Sequence, residues 1–212
     1  MFVMMRRCGL AAALMVGFLL MVASSGVAAA SPKPLPLSAR LLKRGELPGF
    51  TLEAPKSFKT AKAWVATNTS LSATQTGAEV ARLTREGFKE LLAEFLDNAQ
   101  GPGNGLSWVM QLGSAASARA ELAAEVRNAK AQGQATETFR ISAIPGAVGF
   151  GADQGNPGDY MGGENIVFTN GPFFYLAGNA WSGSTQTHNP RHAALIEAAT
   201  KVYKRVHGHP AA

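Results

Sequence analysis

The stretch 166–177, IVFTNGPFFYLA, decides the fold of this 212-residue chain. Two apolar runs flank Asn170-Gly171, and an Asn-Gly pair between such runs is the strongest short-range signal for a β-hairpin. With these two residues as the turn, Phe168 opposes Phe173 in the neighbouring strand. The sequence therefore predicts an antiparallel hairpin here, and Pro172 indicates either that its second strand lies at the edge of the sheet or that Pro172 is the first residue of that strand.

Alternation of side chains sorts this hairpin into two faces. One face, predicted to pack on helices, carries Ile166, Phe168, Phe173, Tyr175 and Ala177. The other face carries Asn165, Val167, Thr169, Phe174 and Leu176. This second face is too apolar for solvent, so either the N-terminal segment covers it or it is a docking surface. The residues predicted to form that docking surface are Val167, Phe174 and Leu176.

Periodicity predicts further elements on both sides of the hairpin. Period-two alternation predicts strands at 106–112 and 138–143, with a glycine-rich loop between the second strand and 163. Helical patterns occupy 38–44 and 59–67, the second burying Ala63 and Trp64. A longer helix capped by Ser114 or Ser117 ends before Gly133. The last helix is capped by Asn189, with a core stripe of Leu195, Ala199, Val202 and Val206.

The stretch 77–97 allows two interpretations. Its apolar residues recur at a spacing of about 3.6, which predicts a single helix. Gly87 favours the alternative, in which a helix ends at this glycine and a strand runs over 88–96.

Helices alternate with antiparallel strands without a regular strand-helix-strand repeat, which is typical of an α+β domain. We expect a two-layer sandwich, an antiparallel sheet with helices packed mainly on one face. The predicted domain covers 38–207, and 208–212 forms a tail. The length and apolar content exclude a multi-domain enzyme, a coiled coil and a polytopic membrane protein.

Residues 1–30 have the pattern of a secretory signal peptide. Arg6 and Arg7 precede an apolar run at 10–23, and Ala28-Ala29-Ala30 precedes Ser31. We predict cleavage after Ala30 and a secreted or extracytoplasmic protein of the cell envelope. An uncleaved leader that anchors the chain in the membrane is the alternative.

A proline-rich spacer, SPKPLPL at 31–37, follows the predicted leader. Without Arg6 and Arg7 the chain keeps 18 basic and 14 acidic side chains, a mild excess that does not indicate nucleic-acid binding. Cys8 lies within the leader, so the mature chain contains no cysteine. Thiolate metal sites and cysteine nucleophiles are thereby excluded.

Local motifs give no catalytic, cofactor-binding or metal-binding residue. The stretch 153–164 imitates a calcium loop through Asp153, Asp159 and Glu164, but Gly155 and Pro157 occupy two ligand positions. We therefore expect no metal and no cofactor. The histidines His188, His192, His207 and His209 are interpreted as surface residues, and the pairs Glu90/Glu94 and Glu121/Glu125 as solvated faces.

Several short motifs carry a resemblance. They are LPGF at 47–50, REGF at 85–88, GLSWV at 105–109, SARAEL at 117–122, GENIVF at 163–168 and GPFFYL at 171–176. In their order the chain resembles a group of uncharacterised exported or lipid-anchored actinobacterial envelope proteins, over about 38–207. That group is similar to PsbP-like α+β sandwiches, in which the position of Gly87-Phe88 starts a strand. The resemblance implies a fold and a compartment, and it supplies no catalytic residues.

The function expected from these observations is non-enzymatic. We expect an exported protein that binds a partner protein or a small apolar ligand, and that meets a membrane only through an uncleaved leader. The alternative is a secreted hydrolase-type enzyme without a local motif, whose site would combine residues such as His188, Asp159 and Asn165. A cleft of convergent polar groups with perturbed pKa values favours the enzyme, and a pocket that is only apolar favours the binding protein.

Overall fold

The computed structural model describes residues 34–99, 103–156, 159–183, 189 and 191–209, with the backbone alone for 154, 156 and 159. The predicted signal peptide, the beginning of the spacer and the last residues of the tail lie outside this described part. Cleavage after Ala30 therefore stays a prediction.

The elements follow one another in the order of the chain. The helices are a 3-10 helix η1 (Leu37–Arg40), α1 (Ala61–Val65), α2 (Ala73–Arg85), α3 (Ala115–Ala131) and α4 (His192–His207). The first strands are β1 (Phe50–Leu52), β2 (Lys56–Phe58), β3 (Glu90–Asn98) and β4 (Asn104–Gln111). The remaining strands are β5 (Glu137–Arg140), β6 (Val148–Asn156), β7 (Asp159–Asn170) and β8 (Phe173–Gly183).

The eight strands form a single antiparallel sheet in the order β1-β3-β4-β8-β7-β6-β5, and β2 also pairs with β3. Residues of α1, α2 and α3 join the apolar cluster on one face of the sheet. Helix α4 packs on the opposite face together with the segment around η1. The predicted α+β class, with helices mainly on one face of an antiparallel sheet, is confirmed, and α4 adds a layer on the other face.

The single helix predicted over 77–97 is wrong, and the alternative interpretation is confirmed. Helix α2 begins after a capping box in which the Ser72 hydroxyl accepts from Gln75 N. It ends before Gly87, whose φ of +74° favours glycine. A Cβ at Gly87 would also lie 2.9 Å from the Cα of Gly113, so the chain turns here through a gap that only glycine fits. Strand β3 follows.

The 166–177 hairpin forms as predicted, but its register differs by two residues. Asn170 pairs with Phe173, and Phe168 pairs with Tyr175 rather than with Phe173. The turn residues are therefore Gly171, with φ +58°, and Pro172. Proline cannot adopt positive φ or donate to the ladder, so it occupies the second turn position of a type II′-like arrangement.

Both predicted faces of the hairpin survive this change, since a slip of two residues returns each side chain to the same face. The face with Phe168 and Tyr175 packs on α4. On the docking surface predicted from the sequence, Val167 and Phe174 are fully buried and Leu176 is 4% exposed. Helix α3 lies over this part of β7 and β8, and α1 and α2 contribute to the same cluster. These three residues are core, so they offer no docking surface.

The glycine-rich stretch predicted as a loop is instead a β-ribbon. Strands β6 and β7 pair from Val148↔Val167 out to Asn156↔Asp159, at the end of the ribbon. Periodicity missed this pairing because the apolar alternation of Val148, Phe150 and Ala152 is short, and from Asp153 onward polar residues and glycines predominate.

The segment 35–65 contains less helix than predicted, and more of it packs against the core. The predicted helix 38–44 is reduced to η1, and α1 buries Ala61 and Val65 rather than Ala63. Leu35 of the predicted spacer already packs against the core.

The segment around η1 is tied to the last helix. From α4, Arg205 donates to the Ala39 carbonyl at 2.9 Å and forms an ion pair with Glu46 at 2.5 Å. Arg40, the last residue of η1, is itself buried. Its guanidinium lies over the Phe173 ring and donates to the Tyr175 hydroxyl.

Candidate functional site

A groove opens on the α4 face of the sheet, where the β5–β6–β7 ribbon passes the beginning of α4. Its volume is about 370 Å³, within the range of small-molecule sites. We call it the hairpin groove, and it is lined by Thr136, Glu137, Phe139, Gly151, Ala152, Asp153, Glu164, Trp181, Asn189 and His192.

Strand register builds the floor of the hairpin groove. Glu137 pairs with Gly151, Gly151 with Glu164, and Glu164 with Asn179, so these residues form one row across four strands. Paired residues share a face of the sheet, which brings the two carboxylates to the same side. Gly151, between them, leaves the middle of the row without a side chain.

Two aromatic rings line the groove, and each lies over a glycine of a neighbouring strand. Phe139 covers Gly149, and Trp181 covers Gly162; a Cβ at either glycine would overlap the ring. A Cβ at Gly162 would also lie 2.6 Å from the Asp153 carboxylate. Glycine at these positions therefore allows flat aromatic rings and a carboxylate to approach one another along the groove.

A histidine–carboxylate pair forms one wall of the groove. His192 Nδ1 lies 2.9 Å and 3.0 Å from the two carboxylate oxygens of Glu164. The Glu164 side chain is 9% exposed, whereas the His192 side chain is 48% exposed. The His192 ring also contacts Phe139, with ring centres 4.9 Å apart. The Glu164 carboxylate thus orients the His192 imidazole, and about half of the His192 side chain stays accessible to solvent.

A reciprocal amide pair fixes the beginning of α4 beside the groove. Asn179 of β8 and Asn189 exchange hydrogen bonds of 3.1 Å and 3.0 Å, and both residues are buried. The Asn189 side-chain oxygen also accepts from the backbone N–H of Arg191 at 2.9 Å, but the N-cap of α4 is Arg191, so the predicted cap at Asn189 is wrong. His192 is therefore positioned by the backbone as well as by Glu164.

The structure does not assemble the three residues of the predicted hydrolase site. Asn165 is on the face of β7 opposite to Glu164, since adjacent strand residues point to opposite faces. Asp159 is six residues further along the same strand, about 20 Å away at the usual rise per residue. His188 lies outside the described residues.

The calcium-like stretch is likewise dispersed. Asp153 and Glu164 both line the hairpin groove, but Asp159 lies near the far end of the ribbon. Within the described residues, no cluster of three or more His, Cys, Asp or Glu side chains is placed to hold a metal ion.

Two of the carboxylates interpreted as solvated are buried, which corrects that interpretation. The single helix that would have exposed Glu94 does not exist, and this residue is 6% exposed on β3. Its Oε2 atom has no hydrogen-bond partner in the described structure. Burial raises the pKa of Glu94 from its ordinary 4.5 to about 7. Glu121, on α3, is 4% exposed.

Glu121 belongs to a cluster of charges between α2 and α3. Arg82 of α2 forms ion pairs with Glu79, Glu86 and Glu121. Burial raises the pKa of Glu121 to about 7, and the neighbouring Glu86 and Glu125 carboxylates add to this rise while Arg82 opposes it. Burial and the charge of Glu79 also raise the pKa of Glu125.

We predict that Glu94→Gln stabilises the protein at alkaline pH. The folded state holds the Glu94 proton more tightly than the unfolded chain, so stability falls as pH rises from about 4.5 to about 7. Glutamine removes the buried charge, and we expect a gain of about 1–3 kcal/mol near pH 8 and little change near pH 4. Denaturant melts at both pH values measure the difference. Exposed Glu53→Gln is the control, and equal effects of the two substitutions would contradict the prediction.

Sequence reasoning missed most of the hairpin groove. The sequence pattern indicates Glu164 and Asp153 only as candidate calcium ligands, and His192 only as a surface residue. The available signal was the spacing of Gly149, Gly151 and Gly162 in a stretch flanked by Phe139 and Trp181. Its meaning depends on cross-strand register, which periodicity within one strand does not give.

Comparison with known proteins gives one structural similarity. The extracellular domain of PknH from Mycobacterium tuberculosis matches with a TM-score of 0.44 and 15% sequence identity, covering 81% of this chain and 98% of that domain. No protein-family model matches the chain. No curated protein matches its sequence. In the part of the chain that the structure describes, no helix has the length and apolar character to cross a membrane.

Proposed function

We propose that this protein is an exported, non-enzymatic binding protein of the cell envelope that holds a small molecule in the hairpin groove. The proposal rests on one observation: backbone-paired residues bring carboxylates, aromatic rings and an oriented imidazole together around about 370 Å³ of open space. The leader pattern at 1–30 supports export. The mixed polar and aromatic lining favours a polar ligand with a flat apolar part over the purely apolar ligand expected from the sequence.

The walls of the hairpin groove are formed by buried, packed residues. Glu164 and Asn189 are each 7% exposed and Trp181 is 8% exposed, so its walls are held by packed side chains. Such a preformed site loses little conformational entropy when a ligand binds.

We expect NMR titration of the purified, isotopically labelled protein with a set of small polar aromatic compounds to locate binding in the groove. The backbone amides of Glu164 and His192 and the indole N–H of Trp181 should shift together with one binding curve. The indole signals of Trp64 and Trp108 are internal controls, because both rings lie in the cluster on the other face. Shifts confined to that face, or no shifts at all, would contradict the proposal.

A second candidate function, a hydrolase, is supported by the convergent polar groups of the hairpin groove and above all by the His192–Glu164 pair. It ranks second because the described residues that line the groove include no serine, cysteine or lysine to act as a nucleophile. A carboxylate on Nδ1 is the arrangement that prepares an imidazole to act as a general base through its other nitrogen. A hydrolase of this kind would cleave activated esters at a rate that His192→Ala abolishes. A binding protein would show the same background rate with and without this substitution.

A further inference from the structure

The charge of the hairpin groove is opposite to that of the chain. Glu137 of β5, Asp153 of β6 and Glu164 of β7 each bring a carboxylate to it. Among the described residues that line the groove there is no Lys or Arg, although the chain carries a net charge of +6. A concave site lined by one sign of charge concentrates ligands of the other sign.

The three carboxylates are spread around the groove and do not converge on a single position. Glu137 and Glu164 stand in the same row with Gly151 between them, so their Cα atoms are about 10 Å apart at the usual strand spacing. Asp153 stands two residues further along β6, in the row of Gly162 and Trp181. This spacing fits a molecule of several atoms with N–H donors that reach different carboxylates.

The aromatic rings favour the same kind of ligand. Phe139 and Trp181 lie over glycines of the adjacent strands, and both residues line the groove together with the carboxylates. The face of an aromatic ring attracts a cation, and tryptophan does so most strongly. A flat apolar group can stack on the same rings.

We propose that the hairpin groove selects organic cations, namely a primary ammonium or amidinium/guanidinium group attached to a small flat apolar body. This inference rests on the proposed function and adds the ligand class to it. The cationic head lies among Glu137, Asp153 and Glu164 and donates hydrogen bonds to their oxygens. The apolar body lies against Trp181 or Phe139.

Three compounds of nearly the same shape test the charge requirement. Benzamidine is a cation, benzamide is neutral and benzoate is an anion. In NMR titrations of the purified protein we expect benzamidine to bind at least about tenfold more tightly than benzamide, and benzoate to leave the groove signals unchanged. Raising the ionic strength from about 0.05 to about 0.5 M should weaken benzamidine binding and leave benzamide binding unchanged.

Two substitutions test the residues. Asp153→Asn and Glu137→Gln preserve shape and remove charge, and each is expected to weaken benzamidine binding by about threefold to tenfold without affecting benzamide. The matched control is Glu197→Gln on α4, whose side chain is 67% exposed and pairs with Lys201. It should change neither affinity. Glu164 is left intact in this test because it also orients His192.

The outcomes separate this inference from the proposed function. Equal binding of benzamidine and benzamide in the groove, or silent Asp153→Asn and Glu137→Gln variants, would overturn the cation inference and leave the binding function standing. Tighter binding of benzoate would do the same. Saturable binding of Ca²⁺ that displaces benzamidine would replace the organic cation by a metal. Absence of groove shifts with all three compounds and with Ca²⁺ would overturn both proposals.

Discussion

Phe174→Ala is expected to lower the free energy of unfolding by about 3–5 kcal/mol, as much as Phe173→Ala. The two residues are neighbours on β8 and point to opposite faces of the sheet, yet both are buried, at 0% and 3% exposure. Phe174 packs in the cluster covered by α1, α2 and α3, and Phe173 packs in the cluster covered by α4. Truncating either ring leaves a cavity in a core that cannot close around it.

Denaturant melts of the two variants measure these losses. Phe95→Ala is the control, because Phe95 is an aromatic residue of the same sheet with 38% exposure and should cost clearly less. A small loss for Phe174→Ala beside a large one for Phe173→Ala would mean that α3 does not seal its face of the sheet. The residues Val167, Phe174 and Leu176 would then regain the docking role that the sequence first indicated.

Arg82→Met is expected to cost about 3 kcal/mol near pH 8, because it leaves partly buried carboxylates without their cation. Arg82 contacts Glu79, Glu86 and Glu121, and the last of these is almost completely buried. Methionine has nearly the length of the aliphatic part of arginine and lacks the guanidinium. The loss in free energy of unfolding therefore measures the effect of removing the charge.

Two features of this second prediction distinguish charge from packing. The cost should shrink near pH 5, since carboxylates with a raised pKa take up protons in place of the missing cation. Adding Glu121→Gln to Arg82→Met should recover part of the stability. Exposed Arg85→Met, in the same turn of α2, is the control. A loss no greater than that of this control at either pH would refute the role of Arg82.

The sheet faces were predictable from sequence to the extent that they depend on a period of two. The hairpin register was displaced by two residues, yet the apolar side chains of 166–168 and 173–177 kept their predicted faces. The register itself depends on whether Pro172 belongs to the strand or to the turn. Pairing across several strands resolves that choice, and a single hairpin does not contain this information.

Hydrophobic periodicity alone did not predict two parts of the structure correctly, the stretch around Gly87 and the ribbon of β6 and β7. The apolar pattern continued past Gly87 because β3 is buried on both faces of the sheet, so the neighbours Leu91 and Leu92 are both apolar and imitate a helical pattern. The positive φ of Gly87 ended the helix there. In the ribbon the apolar alternation of β6 ends at Ala152, and glycines and polar residues follow. The hairpin groove lies beside Gly151 and Gly162, so the segment with the weakest periodic pattern is also the one that holds the candidate site.

The contacts between Arg205 and the segment at Ala39 and Glu46 also impose an order on folding. Arg205 is separated from Ala39 by 166 positions in the sequence and from Glu46 by 159. The segment around η1 therefore cannot be fixed in place until α4 has been synthesised. Contacts of such long range make folding slow, because the chain must close a very large loop before they form. The nascent domain therefore completes its packing only after synthesis has passed α4, and until then the segment around η1 lacks its partner.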